Sequence, residues 1–221
     1  MKYQIGIRAL GHVAAVALLL SVAGCSGLRS STQATMTYQL RAAAEPAPAG
    51  AAAAQSRLLS ASLQVLPLVT GPGLDTDAIV LTAPDHRLDQ YAASRWAAPL
   101  PKMLGNLAVD TLRSRAAMAA VHDDAAPFPS DYVLRVAIRR FDADYGNDSG
   151  SAPTATVVLD CSVGTRSERK LLATFVAQAS VPAAANRMAA VISAFEKATR
   201  EALGVLADQT VAAISVDMST H

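Results

Sequence analysis

The chain has 221 residues, of which 52% are hydrophobic and 17% charged, with a formal net charge of +1. So even a balance lacks the basic face that nucleic-acid binding requires. The length suffices for one domain with a real apolar core.

The chain begins MKYQIGIRALGHVAAVALLLSVAGC. Lys2 and Arg8 make the start positive, Val13 to Leu20 is apolar but too short to span a bilayer comfortably, and small residues precede Cys25. That is the order of a bacterial secretory signal rather than a transmembrane helix. Val22-Ala23-Gly24-Cys25 resembles a lipobox, which implies cleavage between Gly24 and Cys25, a diacylglycerol on the Cys25 sulfur and an acyl chain such as palmitate on the new amino terminus. An ordinary signal peptide with a cysteine near its cleavage site is the alternative. Two or three chains on one residue satisfy the need for more than one anchoring signal, since a single chain holds a protein only marginally. Ser26 stands where an aspartate would be the inner-membrane retention signal of enteric bacteria, so the expected location is the outer membrane, facing the periplasm.

Loss of residues 1–24 would leave 197 residues and move the formal charge to −1, because Lys2 and Arg8 leave with the signal. Residues 25–36 read as an acylated tether, 37–216 as a single domain and 217–221 as a tail. Residues 26–36 reach at most about 40 Å when fully extended, which keeps the domain near its membrane. With Cys25 acylated, Cys161 has no disulfide partner; it shares its parity with Val157, Leu159 and Val163 and reads as a small core residue.

In chain order, MTYQL at 36–40 reads as a short strand, and the Pro/Ala stretch at 41–56 as a loop with no face to bury. From Arg57, RLLSASLQVLPLV places Leu59, Ala61, Leu63 and Val65 on one side of a strand, with Pro67 at its end or edge. GPGLDT at 71–76 is a turn. AIVLTAPDHRLDQY at 78–91 reads as a hairpin around Pro84-Asp85. A helix begins at Pro99 to Pro101, since proline is tolerated in a first turn. Leu100, Met103, Leu104, Leu107, Ala108, Thr111 and Leu112 form its apolar stripe, and Arg113 and Arg115 suit its negative end. AMAAVH is a strand, followed by three longer ones: DYVLRVAIRRFDAD, TATVVLDCSVGTR and KLLATFVAQASV. ANRMAAVISAFEKATREALGVLADQTVAAI closes the chain as a helix, with Met188, Val191, Ile192, Phe195, Ala202, Leu203 and Leu206 at helical spacing. The expected fold is α+β, a two-layer sandwich of a largely antiparallel sheet with two amphipathic helices on one face.

The mature chain offers no motif for catalysis, metal or cofactor. His86, His122 and His221 stand at metal-ligand spacing from neither one another nor a cysteine. His122-Asp123-Asp124 reads as a strand end entering a polar loop. DADYGND at 142–148 lacks the glycine and distal glutamate of a calcium loop at the required offsets. GPGLDT has no lysine to complete a phosphate cradle, and no G-x-S-x-G elbow occurs.

The lipobox, Tyr38-Gln39-Leu40 near the mature start, the block Tyr91-x3-Arg95-Trp96-x2-Pro99, the YVLRVAIRRFDAD and TATVVLDCSV strands and the Ala194-Phe195 helix together resemble the ABC-type transport auxiliary lipoprotein family, which includes PqiC-like lipoproteins of MCE/Pqi lipid-transport systems. The resemblance covers essentially the whole mature chain, which departs from it in its longer Pro/Ala loop. It implies a fold similar to the amino-terminal domain of TolB. It also implies a non-enzymatic, cofactor-free auxiliary that docks a periplasm-bridging MCE-domain protein and, through it, an ABC permease and ATPase. The cargo would be a phospholipid or a similar hydrophobic compound, and a homo-oligomer is compatible with the role. Two other functions stay open: a periplasmic carrier holding lipid in its own cavity, and a structural envelope-assembly lipoprotein.

Trp96, the one tryptophan, has two readings. It packs with Tyr91 to pin the helix beginning near Pro99 against the sheet, or it joins Tyr91, Arg95 and Leu100 in a partner-binding surface, since Trp and Arg are enriched at binding hot spots. The strand-to-helix junction and its prolines favour the first.

Overall fold

The computed structural model describes residues 34–41, 59–115 and 117–220. Gly24, Cys25, most of the tether and the Pro/Ala stretch from residue 42 lie outside the described residues. Every described element belongs to one unit, Thr35–His221. The strands are β1 Met36–Tyr38, β2 Leu59–Val65, β3 Val69–Thr70, β4 Ala78–Thr82, β5 Leu88–Trp96, β6 Met118–His122, β7 Tyr132–Asp144, β8 Thr154–Thr165 and β9 Leu171–Pro182. The helices are α1, Leu100–Ser114, and α2, Met188–Thr220.

β7 is the spine of this open nine-stranded sheet. One of its edges carries β8 along its whole length, and β9 continues beyond β8, both antiparallel. The other edge is shared end to end by three strands that run parallel to it: β2 beside Tyr132–Leu134, β3 beside Ala137–Ile138 and β4 beside Ala143–Asp144. β6 extends the sheet from β2, while β5 and then β1 extend it from β4.

The expectation of a largely antiparallel sheet is therefore corrected to a mixed one, with five parallel pairings and three antiparallel. The three antiparallel pairs are the hairpins β4–β5, β7–β8 and β8–β9, which chain adjacency makes legible. The parallel pairs join segments far apart in sequence, for which a strand's own pattern holds no signal.

Alternation along β7 buries Tyr132, Leu134, Val136 and Ile138, while Arg135 and Arg139 face solvent. A bulge between Ile138 and Arg140 shifts the parity, so Phe141 and Ala143 continue the buried row. Ala155, Val157, Leu159, Cys161 and Val163 do the same on β8, placing Cys161 in the core as expected. Burial pushes its thiol up to about 12, away from reactivity.

Of the expected stripe α1 buries Leu100, Met103, Leu104, Leu107, Ala108 and Leu112, with Val109 added, while Thr111 is half-buried and donates its hydroxyl to Leu107 O. α2 buries Val191, Phe195, Ala198, Ala202, Leu203, Leu206, Ala207 and Ile214. Its alanines let the helix lie close on β8 and β9, and it continues past Asp217, where the sequence reading places a tail. One apolar core joins both helices to the strands.

Candidate docking site at the β5–α1 junction

β5 runs unbroken from Leu88 to Trp96, so Trp96 is the last residue of a strand rather than part of a connection. Tyr91 and Trp96 are five apart, and in a regular strand they would face opposite sides. An irregularity prevents this: the register against β4 shifts between Ala78 and Val80, and Ala93 takes φ 50°, the left-handed region uncommon for a side-chain-bearing residue. Both aromatic rings thereby pack against the core, Tyr91 half-buried and Trp96 only 1% exposed.

Trp96 closes an aromatic cluster. Its ring meets Phe141 of β7 edge-on at 5.9 Å and Phe195 of α2 edge-on at 5.4 Å, while those two phenylalanines stack at 4.9 Å. Three elements are thus joined through one side chain, in the geometries the ring quadrupole favours. The backbone is fixed as firmly. The Trp96 N–H donates to Asp77 O at 2.7 Å, Ala97 N–H to Tyr38 O at 2.7 Å and Leu100 N–H to Thr76 O at 3.0 Å.

The four residues singled out in the sequence therefore lie in different settings. Trp96 and Leu100 are buried, at 1% and 2% exposure, and their side chains offer no surface to a partner. Arg95 is exposed and lies 3.8 Å from Asp77. The Tyr91 hydroxyl meets the Tyr145 hydroxyl at 3.1 Å, which in turn donates to Asn186 Oδ1 at 2.9 Å. Burial, together with that hydrogen bond, raises the Tyr91 phenol well above its ordinary value. The chain of hydroxyls links β5 to the turn after β7 and to the loop before α2.

Beside this junction opens a groove of about 750 Å³. One wall is the chain from Val65 through Thr70, and the other is the flank of α1 at Pro101, Lys102, Gly105, Asn106 and Val109. Pro99 closes one part of it, and Asp123 and Asp124 after β6 border another. Gly105 keeps it open: a Cβ built there would lie 3.5 Å from Leu68 Cδ1, so a longer side chain would occupy the space. Val65, Leu68 and Val109 supply a buried apolar floor, while the exposed rim carries Lys102 against Asp75, Asp123 and Asp124. Such a groove takes apolar side chains and, at its rim, favours a cation over an anion. Sequence patterning identified α1 and the acidic pair but could not place the β2–β3 segment opposite them.

No group of His, Cys, Asp or Glu among the described residues is arranged to hold a metal ion. Charged side chains instead clamp strands together. Asp142, whose side chain is 4% exposed, accepts from Thr82 Oγ1 at 2.6 Å and from Arg140 Nε and Nη2 at 3.0 and 2.8 Å. Asp131 accepts from the Ser62 hydroxyl at 2.7 Å and the Ser62 N–H at 2.8 Å, tying the start of β7 to β2.

Comparison with known proteins agrees with this architecture. A crystal structure of a Xanthomonas campestris protein, XCC0632, of the DUF330 family model superposes with a TM-score of 0.73 at 26% identity, covering 83% of this chain and 99% of that one. A second crystal structure, of an uncharacterized protein, gives a TM-score of 0.61 at 16% identity over 80% of this chain and 99% of that one, a likeness of fold. No curated protein matches. The family model described as "ABC-type transport auxiliary lipoprotein component" matches residues 38–209. By that match the chain belongs to the ABC-type transport auxiliary lipoprotein family.

Proposed function

We propose that this protein is a lipoprotein of the outer membrane, facing the periplasm, cleaved behind Gly24 and acylated on Cys25. It serves an ABC-type lipid-transport system as a non-enzymatic auxiliary by docking the MCE-domain protein that bridges the periplasm. Membership of the transport-auxiliary family supports the general role.

The groove beside α1 is the observation that carries the docking step. Its apolar floor and acid-rich rim suit a protein segment with apolar residues flanked by Lys or Arg. The same rim disfavours an anionic phospholipid headgroup, which weighs against the carrier reading. In this proposal Trp96, Tyr91 and Leu100 are positioning residues that fix the wall of the groove, and Arg95, paired with Asp77 at the surface, is the one of the four with an exposed side chain that a partner could meet.

The test is mild detergent extraction of the tagged full chain from its native membranes, with identification of co-purifying protein and lipid. The expected result is an MCE-domain protein in stoichiometric amount, reduced at least tenfold for Gly105→Leu, which fills the groove without crossing a hydrogen bond. Bound phospholipid without an MCE protein would instead support the carrier. Recovery of the lipoprotein alone would overturn both transport readings.

A further inference from the structure

β9 spans 12 residues, LLATFVAQASVP, and not one of them is charged. One of its edges is laddered to β8 from Thr154 to Gly164, and the other has no strand partner among the described residues. A long uncharged edge is what folded proteins ordinarily avoid, because its free N–H and C=O groups template further pairing. The charges of this sheet sit elsewhere. β7, whose two edges are both paired, carries Arg135, Arg139, Arg140, Asp142 and Asp144. The other outer strands of the sheet, β1 and β6, are only 3 and 5 residues long.

The register shows which groups face outward. Ala183 N–H donates to Pro153 O at 2.9 Å, so Ala155–Val181, Val157–Ala179, Leu159–Ala177 and Cys161–Phe175 are the pairs that exchange hydrogen bonds. The N–H and C=O groups of Thr174, Val176, Gln178 and Ser180 therefore point to the open edge. All four of these residues are solvent-exposed.

We propose that this edge pairs antiparallel with β9 of a second copy of the chain, about a two-fold axis at Ala177. The strand is self-complementary in this register. Val176 stands opposite Gln178 of the second copy, Thr174 opposite Ser180 and Phe175 opposite Ala179. Each bulkier side chain thus faces a smaller or more flexible one, two hydroxyls meet and no like charges oppose one another. The outward N–H and C=O groups of one copy face those of the other, so the ladder continues from sheet to sheet, an isologous contact. The pairing leaves the groove beside α1 untouched and does not depend on what the groove binds.

Light scattering of the full chain in detergent micelles, with the micelle mass subtracted, tests the pairing. The expected mass is twice that of the chain. Val176→Pro removes an N–H directed to the open edge and spares the bonds to β8, so its expected mass is halved with circular dichroism unchanged. Val176→Lys with Gln178→Lys places lysines face to face across the two-fold and has the same expected outcome; it decides the matter should the proline variant lose its fold. Val176→Thr keeps the dimer. A monomeric wild type, or a folded lysine variant that still associates, would overturn the proposal.

Discussion

Trp96 draws its importance from what it touches rather than from what it presents. Its ring contacts Phe141 and Phe195 and it is 1% exposed, so Trp96→Ala would leave a cavity where three elements meet. Large-to-small changes of this kind cost about 3–5 kcal/mol. Urea unfolding of Trp96→Ala should show a loss in that range, while a loss below about 1 kcal/mol would contradict a packing role. The strand-to-helix junction and its prolines favoured an inward-packed ring, which agrees with the burial of Trp96, but gave no sign of what turns the ring inward. That direction is set by Ala93 and the bulge around it, and an alanine at φ 50° carries no sequence mark comparable to a glycine. Cys161 was legible for the opposite reason: its neighbours alternate without a break, so parity alone placed it in the core.

At the scale of elements, the helices were the most readable features. The stripe of α1 is set by a three- and four-residue spacing that needs no partner to be recognised, and the proline at its second position marks its start. Strand pairings were legible only where a short turn joins neighbours. Polar clamps reinforce two of the others. Ser62 and Asp131, 69 residues apart, lock β2 to β7, and the Thr82 hydroxyl of β4 donates to Asp142 of β7, a carboxylate that Arg140 holds in place. Hydrogen bonds from the Ser62 hydroxyl and N–H hold the Asp131 carboxyl below its ordinary value, and Arg140 with the Gly146 N–H does the same for Asp144. A depressed folded-state pKa adds stability that is fully present above the unfolded value of about 4 and is lost as pH falls through the folded value. The thermal midpoint should therefore drop on acidification below about pH 4, and less steeply for Asp131→Asn. Equal slopes for variant and wild type would contradict the clamp.

The whole molecule is a spine with two different edges. On one side of β7 the chain meanders through β8 and β9, and on the other β2, β3 and β4 arrive in succession from earlier in the sequence. The second arrangement makes the groove, because the Val65–Thr70 stretch turns along β7 and faces α1 across an open space. Neither wall looks exceptional in sequence, and the Val65–Thr70 wall is placed by pairing with β7 residues far along the chain, Val65 with Leu134 and Thr70 with Ile138. The groove could therefore be found only in three dimensions, although the family could be recognised from motifs. Its role as the docking site for the MCE-domain partner is the central claim. The most direct measurement is photocrosslinking in intact cells from a reactive residue at Asn106, on the groove wall, against one at Arg135, on the exposed face of β7. A crosslink to the MCE-domain protein from position 106 but not from 135 is the predicted result. Capture of that protein from 135 alone, or from neither position, would contradict the account.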